Sequence, residues 1–197
     1  MSENEFNQGG EFEDFGQQIA DATEAFLVGL QEISRGESAG VAVPLLLLEV
    51  SQLLLAGARL GAQIDFETKT EYQPDVGPEP DLDAMRLRMA ELLGEIDTYS
   101  HNFEPYDPET FTSQLSDDLT LIATDVAFGL RHFRNGNLDE ALWWWQYSYV
   151  ASWGSEASAV LRALQSVVSH DRLDSEFESE QDDVAAAERL LDGPSSS

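Results

Sequence analysis

The chain has 197 residues, of which 38 are acidic and 10 are basic, and its formal net charge is −28. It contains no cysteine, which excludes a disulfide scaffold, a cysteine-ligated zinc site, an iron–sulfur protein and a thiol enzyme. Because so large a negative charge repels phosphates, we expect no direct nucleic-acid binding. The length predicts roughly one domain, and an apolar fraction of 42% suits a folded core.

Acidic, polar segments lie at both ends of the sequence. Residues 1–14 carry five acidic groups and no basic one, and we predict a disordered acidic tail there. Residues 172–197 form a second acidic tail, mostly disordered, in which residues 183–192 favour a short helix. The N-terminus lacks the basic start and apolar stretch of a secretory signal, so we expect a cytoplasmic protein.

The domain between the tails, residues 15–171, has apolar side chains spaced three and four apart, which predicts helices throughout. The first helix covers about residues 15–34. The second begins near Ala42 and is apolar nearly all round, so we expect it at the centre of the fold. It is long enough to span a bilayer, but Glu49 and Arg59 would be costly in lipid. We therefore predict a buried helix of a soluble protein and no membrane partner.

Two proline-rich acidic loops, residues 65–80 and 101–109, interrupt the helical pattern. Ser116 is predicted to cap the fourth helix, and Gly154 to break the chain between the fifth and the sixth. The expected fold is all-α, a compact bundle of about six helices. The third to sixth helices are predicted at about residues 81–99, 116–134, 138–153 and 155–170.

The densest feature is LWWWQYSYVASWG, residues 142–154, which contains four tryptophans and two tyrosines. Helical spacing places Trp145 on one apolar face and Trp143 and Tyr147 on another, while Trp144 lies off both. One interpretation is a central helix packed on two sides, since aromatic side chains dominate core burial. The other is an aromatic surface for a ligand or peptide, with Trp144 and Tyr147 as candidate binding residues.

Glu49 and Gln52 lie within the most apolar helix, and two interpretations are open for them. In the first, they are a buried polar pair whose partner lies on another helix, for example an arginine such as Arg59, Arg131 or Arg134, because buried carboxylates need partners or shift their pKa. Alternatively, Glu49 is a pocket carboxylate. It would then need a second ligand, for which the candidates are Asp125 and His132, seven residues apart on one helix face.

The usual enzyme signatures are missing. The sequence contains no HExxH, GxSxG, phosphate-loop or GxGxxG motif, no calcium loop, and no Glu-x-x-His pair of a di-iron bundle. We therefore expect no bound metal and no cofactor, and the balance is against catalytic activity.

Several motifs carry a resemblance to a known family. They are Ser-Asp-Asp-Leu at residues 116–119, Glu-Ala-Leu-Trp-x-Trp at 140–145, and Trp-Gly followed by Leu-Arg-Ala-Leu. The Phe-x-Pro-Tyr loop at 103–106 and the Pro-Leu-Leu-Leu-Leu-Glu run that ends at Glu49 also fit. Over about residues 15–172 the chain resembles the bacterial family of domain of unknown function 5063. The resemblance implies a small soluble all-helical domain and no known activity, and the arginine-rich composition suits an actinobacterial member.

The function favoured by the sequence is a non-enzymatic interaction or regulatory module that binds a basic protein partner through acidic surfaces. The alternative is a small-ligand or metal-binding helical domain, with or without enzymatic activity, that has a site near Glu49 and the Trp-rich helix. A structural or oligomeric role is the third class, and the sequence leaves the oligomeric state open.

Overall fold

The computed structural model describes residues 3–69, 71–102 and 106–191 of the chain. Within these ranges the fold is mainly helical, with one two-stranded antiparallel sheet. In chain order the elements are α1 (Glu3–Ile33), α2 (Ala39–Gly61), α3 (Asp83–Leu93), a 3-10 helix (Gly94–Asp97), β1 (Thr98–His101), β2 (Phe111–Gln114), α4 (Leu115–Arg134), α5 (Leu138–Ser148), a π-helical turn (Tyr149–Trp153) and α6 (Gly154–Leu191).

Two groups of buried apolar side chains form the core. The larger group contains side chains from α1, α2, α3, α4, the π-helical turn and α6, and Phe26 and Leu119 are among its fully buried members. The smaller group joins α1, α2, α4 and α5 around Ile19 and Trp145. Helical spacing explains both buried groups, because apolar side chains three and four residues apart share the face that each helix buries.

The prediction of a break at Gly154 is wrong. Helix α5, the π-helical turn and α6 follow one another without interruption, so residues 138–191 form one continuous helical rod and the described chain has five such rods rather than six. Gly154 keeps helical angles, φ −65° and ψ −39°. Its missing Cβ makes room, because a Cβ there would lie 2.4 Å from the carbonyl oxygen of Tyr149.

The expectation of an all-α fold is also corrected. Helix α3 ends at Leu93 rather than near Tyr99, because Gly94 adopts φ +57°, a conformation that favours glycine. After one 3-10 turn the chain forms β1, which pairs antiparallel with β2 so that Tyr99 lies opposite Ser113 and His101 opposite Phe111. The predicted loop at residues 101–109 is therefore largely the connection of a β-hairpin; its residues 103–105 lie outside the described part of the chain.

The first turn of α4 is capped from another segment. Ser116 was expected to cap this helix, but it lies inside the first turn and is itself the residue that is capped. The buried carboxylate of Asp97 accepts the backbone N–H of Ser116 through Oδ1 and its hydroxyl through Oδ2, both at 2.8 Å. A carboxylate at this position faces the positive end of the helix dipole, which stabilises the junction between β1 and α4.

Helix α2 was expected at the centre of the fold, but only one side of it is buried. Leu46, Val50 and Leu53 face the core, while apolar side chains on the opposite side are exposed. Among the described residues, Ala39–Gly61 is the one helix long and apolar enough to cross a membrane by length and composition, and 33% of its most apolar stretch is buried.

Helical backbone also continues into both segments that we expected to be disordered. Helix α1 begins at Glu3 and α6 continues to Leu191, so α6 includes most of the short helix expected at residues 183–192. The residues after Leu191 lie outside the described chain. Glutamate, which has high helix propensity, occurs four times in each segment.

Candidate functional site

The structure places the six predicted binding residues in two separate regions. Glu49 and Gln52 lie on α2, and the Glu49 carboxylate packs against Gly29 of α1. Gln52 is exposed on the outer side of the helix. The other four residues, Asp125, His132, Trp144 and Tyr147, lie on the hairpin formed by α4 and α5.

Glu49 has no hydrogen-bond or salt-bridge partner among the described residues, although arginines were expected to supply one. Arg59 donates to Gln18 at 2.6 Å and lies over the ring of Phe15, and Arg134 pairs with Glu24. Burial raises the pKa of the Glu49 carboxyl group. Gly29 is what allows its position, because a Cβ at Gly29 would come within 2.7 Å of the carboxyl carbon.

Aromatic side chains line the outer side of the α4–α5 hairpin. The indole N–H of Trp144 donates to the carbonyl oxygen of Asp125 at 2.8 Å, and its ring lies 4.6 Å from that of Phe128. Trp143 and Tyr147 are one helical turn apart and stack at 5.3 Å with an interplanar angle of 3°. Tyr147 is 55% exposed. The half-exposed Trp143 and the exposed Tyr147 form a stacked pair that we call the aromatic platform.

Asp125 lies beside this surface, and its side chain already accepts a hydrogen bond. Its Oδ2 accepts the hydroxyl of Ser152 at 2.9 Å. Burial raises the pKa of the Asp125 carboxyl group most, and the negative charge of Glu79, from the loop between α2 and α3, raises it further.

His132 is fully buried at the other end of the same face. Its ring contacts Phe128 edge-on, with the ring centroids 4.9 Å apart, and neither ring nitrogen has a hydrogen-bond partner among the described residues. Burial lowers the pKa of this imidazole, while the negative charge of Glu140 acts in the opposite direction. Asp125 and His132 therefore share a helix face without forming a joint site, and no group of three potential metal ligands occurs among the residues that the structure describes.

Removing His132 is expected to flatten the pH dependence of stability. The unfolded chain binds a proton at a pKa of about 6.5, whereas the buried ring resists protonation, so stability is lost as the pH falls below that value. When the pH is lowered from 7.5 to 5.5, we expect the free energy of unfolding, measured with urea, to fall less for His132→Leu than for the wild type. The difference between the two proteins should grow by up to about 1.4 kcal/mol per pH unit below 6.5. His170→Leu, at an exposed position, is the matched control and should follow the wild type. Parallel wild-type and His132→Leu profiles would contradict the assignment.

The loop between α2 and α3 lies against α5, near the aromatic platform. The backbone N–H of Phe66 donates to the Gln146 side chain at 2.9 Å, and Lys69 forms a salt bridge with Asp139. Asp139 precedes Trp143 by four residues, so the loop crosses α5 one turn from the platform. We call residues 65–81 the acidic loop; its exposed carboxylates are Asp65, Glu67, Glu71, Asp75, Glu79 and Asp81.

A second polar cluster, beside β1, was missed by the sequence reasoning. The hydroxyl of Tyr99 donates to Asp118 at 2.7 Å, and the ring of His101 stacks on Tyr99 at 5.2 Å. Burial raises the pKa values of the Asp118 and Glu156 carboxyl groups, and the negative charge of Asp118 raises that of Glu156 further. Burial and the same two carboxylates raise the pKa of Tyr99. No sequence signal indicated this cluster, because the strand that carries Tyr99 and His101 was not predicted.

This cluster borders a groove of about 430 Å³ between β1 and α6. Ile96, Leu115 and Val167 are among its apolar lining residues, and His101 and Arg162 bring ionisable groups to it. Its size and mixed lining are typical of a small-molecule pocket.

The geometry defines a mainly helical domain with one β-hairpin and an aromatic surface beside an acidic loop. The family model of domain of unknown function 5063 (DUF5063) matches residues 10–170, and the chain belongs to this family. No curated protein matches the sequence. The crystal structure of protein BF1032 from Bacteroides fragilis is similar over 76% of this chain and 89% of that chain, with a TM-score of 0.61 and 20% identity. That likeness concerns the fold alone.

Proposed function

We propose that the protein is a non-enzymatic interaction module that binds a basic segment of a protein partner at the aromatic platform and the acidic loop. The observation that carries the proposal is the exposed, stacked pair of Trp143 and Tyr147 beside a loop with six exposed carboxylates and one lysine. That lysine, Lys69, is already paired with Asp139.

Both parts of this surface suit cationic side chains. Arginine and lysine groups stack on the faces of tryptophan and tyrosine rings, with a gain of about 0.5–1 kcal/mol at exposed sites. The carboxylates of the acidic loop attract a basic segment over longer distances and raise its association rate. The stacking of the two rings keeps the platform ordered before a partner arrives, so little side-chain freedom is lost on binding.

Binding of a fluorescein-labelled octa-arginine peptide, followed by fluorescence anisotropy, tests the platform. We expect Trp143→Leu combined with Tyr147→Leu to weaken binding by about fivefold, the equivalent of about 1 kcal/mol. Tyr106→Leu removes a fully exposed tyrosine from the hairpin connection and is the control for non-specific aromatic contacts. Equal affinity of the platform variant and the wild type would overturn the proposal.

A charge-matched pair of variants tests the acidic loop in the same assay. Glu71→Gln with Glu79→Gln removes two carboxylates from the loop, whereas Glu91→Gln with Glu95→Gln removes two exposed carboxylates from the end of α3 and the 3-10 helix that follows it. The net charge is then the same in both proteins. We expect the loop variant to bind more weakly than the α3 variant, with a smaller decrease in affinity as NaCl is raised. Identical salt dependence in the two proteins would contradict a local site.

A further inference from the structure

The outer face of α2 is apolar and uncovered. Val41, Leu45, Leu48 and Leu55 expose 64%, 45%, 51% and 65% of their surface. Exposed apolar side chains that form a continuous patch, rather than scattered single residues, indicate an interaction surface.

The same face carries no carboxylate. Glu49 is the one acidic residue of Ala39–Gly61, and its carboxylate packs inward against Gly29 of α1. Arg59 supplies the one basic group of the helix. In a chain with 38 acidic residues, a second copy can approach this face without bringing acid against acid across the contact.

The spacing of the exposed residues follows a heptad pattern. Steps of four, three, four, three and four residues are the spacing of a coiled-coil seam, the stripe along which two helices pack. Gln52 lies near the middle of this stripe and is its one uncharged polar residue. We call these residues the α2 seam: Val41, Leu45, Leu48, Gln52, Leu55 and Arg59.

We propose that the α2 seam packs antiparallel against the α2 seam of a second copy of this chain. The two-fold axis then crosses the seam at the level of Val50 along the helix. Leu45 lies opposite Leu55 of the second copy, and Leu48 lies opposite Gln52 of the second copy. Every position of the seam then meets another position of the seam, as an interface between identical subunits requires. A parallel pairing would instead place Arg59 beside the same arginine of the second copy.

Charge complementarity at the ends of the seam supports the antiparallel register. At the turn between α1 and α2 a cavity of about 420 Å³ is lined by Ile33, Val41 and Leu45, and Glu32 and Glu37 lie on its border. The proposed register places Arg59 of the second copy opposite Val41. Glu37 lies in the turn before α2, lines the same cavity as Val41 and has no salt-bridge partner among the described residues.

The mass of the full chain in solution, measured by size-exclusion chromatography with light scattering, tests the proposal. We expect twice the 21.8 kDa mass of one chain for the wild type and a single-chain mass for Leu48→Glu. Leu121→Glu, at a leucine with 47% exposure on α4, is the matched control and should remain dimeric. A monomeric wild type, or a Leu48→Glu variant with an unchanged mass, would overturn the proposal.

Salt dependence and a charge swap test the register. Raising NaCl screens the repulsion between two chains of charge −28, so the dimer is expected to tighten, whereas binding of a basic peptide weakens. Arg59→Glu should raise the dimer dissociation constant about tenfold, and adding Glu37→Arg should restore it. Failure of the second change to restore dimerisation would exclude the antiparallel register.

Flotation with phosphatidylcholine vesicles tests the alternative that a lipid surface, rather than a second copy of the chain, covers the α2 seam. The proposal predicts no vesicle binding by the wild type. Vesicle binding that Leu48→Glu abolishes, together with a single-chain mass in solution, would assign the α2 seam to a lipid surface and overturn the proposal. This outcome leaves the platform experiments unaffected, because they probe α5 and the acidic loop.

Discussion

Trp145→Ala is expected to lower the free energy of unfolding by about 3–5 kcal/mol. Trp145 is fully buried in the smaller core group, and its indole N–H donates to the carbonyl oxygen of Val126 at 2.9 Å. The ring packs directly on Gly129, where a Cβ would come within 2.2 Å of the indole nitrogen. Alanine would therefore leave a cavity and remove this buried hydrogen bond. Urea unfolding, followed by far-ultraviolet circular dichroism, gives the difference.

Trp143→Ala is the matched control for this prediction, because Trp143 lies next but one to Trp145 in the same helix and is only half-buried. We expect it to cost well under half as much stability. Trp145→Phe should fall between the two, since it keeps most of the packing and loses the hydrogen bond. A loss below about 1 kcal/mol for Trp145→Ala would contradict the packing described for this helix pair.

Asp97→Ala is expected to lower the free energy of unfolding by about 2–3 kcal/mol, the largest effect that we expect for a polar residue. The substitution removes two hydrogen bonds to Ser116 and leaves the first turn of α4 without its carboxylate. Asp97→Asn should recover part of the loss, because an amide oxygen still accepts the backbone N–H. Chemical unfolding at pH 7 measures the three proteins.

Asp117→Ala tests whether position rather than charge is responsible. Asp117 is exposed, lies in the same helix turn and pairs with Arg86 at the surface. Exposed salt bridges contribute about 0–1 kcal/mol, so this variant should resemble the wild type. If Asp97→Ala and Asp117→Ala were equally stable, the buried cap would have no special role.

The helical parts of the fold follow from the sequence because their signal is local. Residues three and four apart in α4 and α5 share a face, and this alone predicts which side each helix buries. The β-hairpin of β1 and β2 has no such signal, since its strands are four residues long and their apolar and polar residues alternate only weakly. The cap of α4 was assigned to Ser116 because its actual source, Asp97, is nineteen residues away, and only the hairpin brings it close.

The candidate site shows the same division. Asp125 and His132, like Trp143 and Tyr147, could be placed on common helix faces by spacing. Spacing within one helix does not tell which other helix packs against it, so Glu49 could not be located relative to Trp144 from the sequence. The acidic loop contacts α5 through the Lys69–Asp139 salt bridge and the hydrogen bond from Phe66 to Gln146. Neither contact has a pattern that a single sequence reveals.

The π-helical turn determines how the two halves of the long rod stay in phase. The inward positions of α5 are Leu142, Trp145 and Ser148, and the series resumes at Trp153 after a step of five residues. In a regular α-helix that step would rotate Trp153 about 140° away from Ser148. The wider π turn absorbs the extra residue, so that the indole N–H of Trp153 reaches the Ser148 hydroxyl at 3.1 Å. The rod thus contains one residue more than an unbroken α-helix joining the same two buried faces would need.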